Sequence, residues 1–171
     1  MAALDPDEIH TPVRPAFIVA TFIVGALLNM VPASDWSMWG RPDFVALLVL
    51  YWVIEQPRRV GFGSAFLLGL LMDVADGAFF GQHALAYSIL AYAGIALHRR
   101  VRMFPLAAQV LHVIPLLLLN DVIVLAIRML AGADFPGYRY FLGSLIAGIF
   151  WPVISFLCKL PQRRENDPNR V

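Results

Sequence analysis

Residues 104–130 read FPLAAQVLHVIPLLLLNDVIVLAIRML, an apolar run interrupted by only two charged groups, Asp121 and Arg128. A helix of about 20 such residues crosses the ~30 Å hydrocarbon core of a bilayer. In lipid every backbone N–H and C=O must be satisfied internally, which leaves helices and closed barrels. This run is continuous, rich in Leu, Ala and Val, and lacks the alternating period of a barrel strand, so it reads as a helix. The rest of the 171-residue chain follows the same pattern, with 60% hydrophobic residues, 15% charged residues and a mean hydropathy of +0.70. A soluble domain carries roughly 25% charged residues. The apolar surplus here is gathered into six blocks, at about 14–31, 41–56, 62–76, 82–98, 104–130 and 138–160. The expected fold is therefore an all-α membrane protein, a single six-span helical bundle over residues 14–160. Residues 1–13 form a polar leader and residues 161–171 a polar tail, both expected to be disordered and cytoplasmic.

The punctuation between blocks supports these limits. Pro32 stops the first, and Trp36 and Trp39 place the following loop at a membrane interface. Arg41-Pro42-Asp43 opens the second, with Pro42 near the first helical position. Gln56-Pro57 closes it, Gly77 to Gly81 make a tight turn, and Pro115 is expected to kink the fifth helix. Spans two to four are short for a bilayer, so they either thin it or sit inside the bundle. Small residues at four-residue spacing, Ala65/Gly69 and Ser144/Gly148, would allow close helix approach. The first block follows a mixed-charge leader and continues for a full span, which reads as a retained helix rather than a cleaved signal.

Orientation follows from the basic residues. With six spans, both termini and loops two and four share one side. That side holds Arg14, Arg58, Arg59, Arg99, Arg100, Arg102, Lys159, Arg163, Arg164 and Arg170, whereas the opposite loops hold only Arg41 and Arg139. Both termini are expected in the cytoplasm.

Ionisable groups at membrane depth cost roughly 2.5–3.5 kcal/mol each on insertion scales, so each needs a partner, a cavity or a purpose. The topology places most of them in the outer half of the bundle. Asp73 and Asp76 end span three, His83 begins span four across the turn, and Arg41 and Asp43 begin span two at the same level. Asp121 and Arg128, seven residues apart on nearly one helical face, complete this cluster, with Asn29 and Asn120 as neutral companions. One reading is mutual pairing that locks helix packing, for instance Asp121 or Asp73 with Arg128. Another is a binding site for a small molecule or for a partner's transmembrane helix. Glu55 stands apart at the cytoplasmic end, and His98 and His112 read as interfacial and packing residues.

Other function classes find little footing. A net charge of +1 argues against nucleic acid, and one cysteine, Cys158, excludes an internal disulfide. Gly61-Phe62-Gly63-Ser64-Ala65 lacks the spacing of a nucleophile elbow, and neither a zinc pair nor a phosphate-binding glycine loop is present. No metal or cofactor is expected. Asp73 and Asp121 could share a proton as an aspartyl peptidase dyad does, but lipoprotein signal peptidases, which use such a pair, have four spans rather than six.

Several pieces in the middle of the chain resemble the MreD family of bacterial rod shape-determining membrane proteins. They are Arg41-Pro42-Asp43-Phe44, Tyr51-Trp52, Gln56-Pro57-Arg58-Arg59-Val60-Gly61, the stretch Phe66 to Val74, and Gly81-Gln82-His83-Ala84-Leu85-Ala86-Tyr87. The likeness continues through His98-Arg99-Arg100 to Phe135-Pro136-Gly137 and covers about residues 14 to 165; its specificity lies in the order of the pieces and in the matching size. The resemblance implies a fold similar to the substrate-binding subunits of energy-coupling-factor transporters. It also implies an inner-membrane scaffold of the elongation machinery that makes peptidoglycan. Its implied partners are MreC, with MreB, RodZ, RodA and a penicillin-binding transpeptidase in the same assembly. Anionic lipid would meet the basic loops, and a homo-oligomer is compatible with this picture. On this reading Arg41, Asp43, Asp73, Asp76 and His83 are the group whose replacement hurts most. The competing reading is a small-molecule-binding subunit of a membrane transporter.

Overall fold

The computed structural model describes residues 13–31, 41–77 and 81–164, and among them all regular structure is helical. Six helices follow in order: α1 Pro15–Met30, α2 Phe44–Glu55, α3 Phe62–Ala75, α4 Gln82–Arg102, α5 Leu106–Leu130 and α6 Leu142–Arg164. A 3-10 turn, Tyr138–Phe141, leads into α6. The six expected blocks match these helices to within a few residues. The Trp36/Trp39 loop, residues 1–12 of the leader and the tail beyond Arg164 lie outside the described residues. The stretches Leu106–Leu130 and Tyr138–Leu160 are long and apolar enough to cross a membrane, while α1, α2 and α3 are apolar but shorter. This is a helical membrane protein.

The shortest helix is also the most buried. Every side chain from Val45 to Ile54 is at most 6% exposed, although α2 has only 12 residues and is thus about 18 Å long. A helix apolar on all sides belongs inside a bundle, and α2 is enclosed by α1, α4, α5 and α6. Being walled off from lipid, it is free to stop short of the membrane surface. Its upper end is therefore the floor of a hollow. The start differs slightly from the sequence expectation. Asp43 is the N-cap and Phe44 the first helical residue, so Pro42 precedes the cap rather than opening the helix.

Small residues set the tightest contacts. A side chain at Gly69 would run into the backbone of His83 and Ala84, so α3 lies directly on α4. Gly143 sits against the carbonyl of Arg41, and Gly148 against Ile114 of α5. Both small-residue pairs noted in the sequence thus fall at helix interfaces. The aromatic centre is a chain of edge contacts, with Tyr51 5.0 Å from Trp52 and 5.8 Å from Trp151 between ring centroids. Each indole N–H is satisfied: Trp52 donates to Thr21 Oγ1 and Trp151 to Gln109 Oε1, both at 2.9 Å. α5 runs on through Pro115 as a single helix.

The opposite end of the bundle is basic. Arg99, Arg100 and Arg102 occupy the last turn of α4, where cations meet the negative end of the helix dipole. Lys159 pairs with Glu55 at 3.3 Å, and Arg59 donates to the Val13 carbonyl.

Candidate functional site

Because the helices alternate in direction, the C-terminal ends of α1, α3 and α5 meet the N-terminal ends of α2, α4 and α6 at one face. Each N-terminal end exposes backbone N–H groups that need acceptors, and each C-terminal end delivers a polar side chain. Asn29 at the end of α1 accepts from the Phe44 N–H at 2.9 Å and donates to Asp43 Oδ1 at 2.9 Å. That same oxygen caps α2 by accepting from the Ala46 N–H at 2.9 Å. The other Asp43 oxygen accepts from the Tyr87 hydroxyl of α4 at 2.7 Å. One carboxylate therefore ties three helices together.

Asp73 does the same for α4. Its side chain is fully buried and accepts from the Gly81 N–H at 2.8 Å, the His83 N–H at 2.9 Å and the Ala84 N–H at 3.3 Å. The imidazole of His83 adds a contact at 2.9 Å through Nδ1. A carboxylate only accepts, so with neutral histidine the ring proton sits on Nδ1. This is an N-cap supplied from a neighbouring helix rather than from the chain just before α4. Gly81, with φ +102°, makes the turn that allows it.

On α5, Asp121 accepts from the Ser144 hydroxyl of α6 at 2.5 Å. Arg128 is exposed one helical face above it. Among the described residues Arg128 forms no ion pair with Asp121 or Asp73, so the pairing considered from the sequence is replaced by hydroxyl and backbone partners. The two aspartates that might have formed a peptidase dyad are each bonded elsewhere. Among the described residues no group of three ligating side chains is placed to hold a metal ion.

Together these elements wall a cavity of about 610 Å³. Of the seven charged candidates, Arg41, Asp43, Asp76, His83, Asp121 and Arg128 line it, and Asp73 lies behind its wall. Arg41 reaches the Val31 carbonyl at 3.3 Å, and Asp76 is exposed at the C-cap of α3. Sequence reasoning passed over Gln82, Tyr87, Tyr140 and the hydroxyl of Ser144. Tyr87 had one available signal, since it lies one turn after His83 on the same face of α4.

A second hollow, of about 530 Å³ and lined almost wholly by apolar atoms, opens sideways between α1 and α6. Phe17, Val24 and Leu28 form one wall, Val153 and Leu157 the other, and Leu48 of α2 the floor.

Comparison with known proteins adds an independent line. The chain is 26% identical over 147 residues to the rod shape-determining protein MreD of Haemophilus influenzae, which covers 86% of this chain and 91% of that one. No solved structure matches the chain, so the expected likeness to transporter subunits stays an expectation from resemblance. The family described as rod shape-determining protein MreD matches residues 13–160, and the chain belongs to that family.

Proposed function

We propose that this protein is a non-catalytic scaffold of the bacterial inner membrane, with both termini in the cytoplasm, that serves rod-shape determination by binding MreC. A rod shape-determining role comes with family membership. The basic residues gathered at one end support the orientation. The observation that carries the binding reading is the lateral groove between α1 and α6. α1 packs chiefly on α2, which leaves a slot whose walls are Ala20, Val24 and Leu28 on one side and Val153 and Leu157 on the other. Ala20, Val24 and Leu28 are spaced by four, the ridge that packs into the groove of another helix. Within a bilayer, helix association rests on such shape and on small residues rather than on hydrophobicity. Gly25, set directly over Leu48, deepens the slot. MreC has a single membrane span, and that span is the occupant we assign. The same assembly would bring this protein to RodA, the transpeptidase, RodZ and MreB.

The test is co-purification from membranes with tagged MreC, comparing wild type with Ala20→Trp and Val153→Trp. Both positions are exposed, so the indoles fill the groove without disturbing the core. Retention of wild type and loss of both variants, at unchanged thermal stability, is the expected result. Variants that bind as well as wild type would remove the groove from the interface. Failure of wild type to bind would remove MreC as the partner.

A further inference from the structure

The polar cavity contains an acceptor that no described residue uses. Asn120 is 2% exposed and lines the cavity, and among the described residues its Oδ1 has no hydrogen-bond partner. Its side chain also interacts with the Asp121 carboxylate. A carboxylate takes only donors, so Nδ2 faces Asp121 and Oδ1 is the atom left over. Buried polar atoms without partners are rare, and each calls for an explanation. Gln82, 3% exposed and also on the cavity wall, carries a second one. Its Oε1 has no hydrogen-bond partner among the described residues, while its Nε2 lies 3.3 Å from His83 Nδ1.

These atoms belong to a built site. Asp121 accepts from the Ser144 hydroxyl and from the Asn120 amide, and a carboxylate with two donors has lone pairs to spare. The inner end of the cavity is therefore rich in acceptors, which fits a cationic group with several N–H donors. The outer end is different. Arg128 stands seven residues beyond Asp121, about 10.5 Å along the α5 axis, and lines the same cavity. A guanidinium at that place fits a carboxylate bidentately. A separation of that size corresponds to about three residues of extended peptide. The volume of about 610 Å³ lies within the roughly 300–1,000 Å³ of ligand pockets.

We infer that the cavity binds a small zwitterion, a free peptide of about two to three residues, with its ammonium against Asn120 and Asp121 and its carboxylate toward Arg128. This inference uses neither the lateral groove nor MreC, and stands or falls apart from the scaffold proposal.

The experiment uses the purified full chain in lipid nanodiscs, with binding read by calorimetry and thermal unfolding. The probes are trialanine, N-acetyl-trialanine and trialanine amide, with a panel of X-Ala-Ala tripeptides to vary the first side chain. Free peptide is expected to bind and to raise the unfolding midpoint. Blocking the ammonium weakens binding at least about tenfold, the cost of one charge-assisted hydrogen bond. Arg128→Gln, at an exposed position, is expected to bind the acid and the amide equally while still requiring the free ammonium. Asn120→Leu is expected to lose the preference for the free ammonium; should that variant fail to fold, Arg128→Gln still decides. The inference is overturned if no peptide of the panel binds better than its acetylated form. It is equally overturned if Arg128→Gln discriminates acid from amide as wild type does, or if only a partner protein, and no free peptide, engages the cavity.

Discussion

Asp43 lines the polar cavity and Phe44 lines the apolar groove, so two hollows of opposite character meet at one peptide bond at the start of α2. The same division runs through the end of α1, where Asn29 faces the cavity and Leu28 the groove. The cavity is shaped by hydrogen bonds. Its carboxylates cap helices and hold tyrosine and serine hydroxyls, which fixes each group in place and leaves selected atoms free for a ligand. The groove has no such devices, and what enters it is chosen by shape. A molecule can therefore lose one hollow and keep the other, because different forces hold them.

The sharpest break is Asp73→Ala. It strips the acceptor from three N–H groups and from His83 in a buried site, so a loss of about 3 kcal/mol is expected. Thermal unfolding in detergent should show it, with Asp73→Asn recovering part because an amide oxygen still accepts. Loss of the cap opens the cavity wall and should leave the groove intact. Equal stability of wild type and Asp73→Ala would mean that α4 does not depend on this cap.

Gly69→Val comes next. Its side chain must push α3 off the α4 backbone at His83 and Ala84, at about 2 kcal/mol for overpacking. A cross-link between α3 and α4 that forms as readily in the variant would contradict that packing. Tyr87→Phe removes one hydrogen bond to the Asp43 carboxylate in the buried core, expected at about 1.5 kcal/mol. Its effect should vanish in an Asp43→Ala background, which removes the acceptor, if the two groups are coupled as drawn. The smallest stability change is expected for Val153→Trp, within ~0.5 kcal/mol as for other surface replacements. That substitution should nevertheless fill the groove. A large stability loss there would show that α6 packs on α1 more closely than the groove allows.

The spans were legible because lipid imposes length and hydropathy on any helix that crosses it. The polar cluster was legible for a related reason: ionisable residues at membrane depth are costly, so Arg41, Asp43, Asp76, His83, Asp121 and Arg128 stood out, and the alternation of six helices sends them to one face. The role of Asp73 was not legible. Nothing in its spacing says that its carboxylate reaches across a turn to the first N–H groups of α4. That depends on Gly69 letting the two helices touch. Nor could charge alone reveal that Asp121 takes a serine hydroxyl while Arg128 stays exposed above it. Ser144 had been visible only as a small residue.

By itself the sequence determined six apolar helices, their alternation and the family, because hydropathy, basic-residue bias and motif order are properties of the chain read in line. Only the tertiary structure decided that α2 is walled off from lipid, that Asp73 caps rather than faces the cavity, and that the Asn120 oxygen finds no partner among the described residues. Those outcomes depend on which groups lie within about 3 Å of one another across different helices, and such distances are set by packing and not by spacing along the chain.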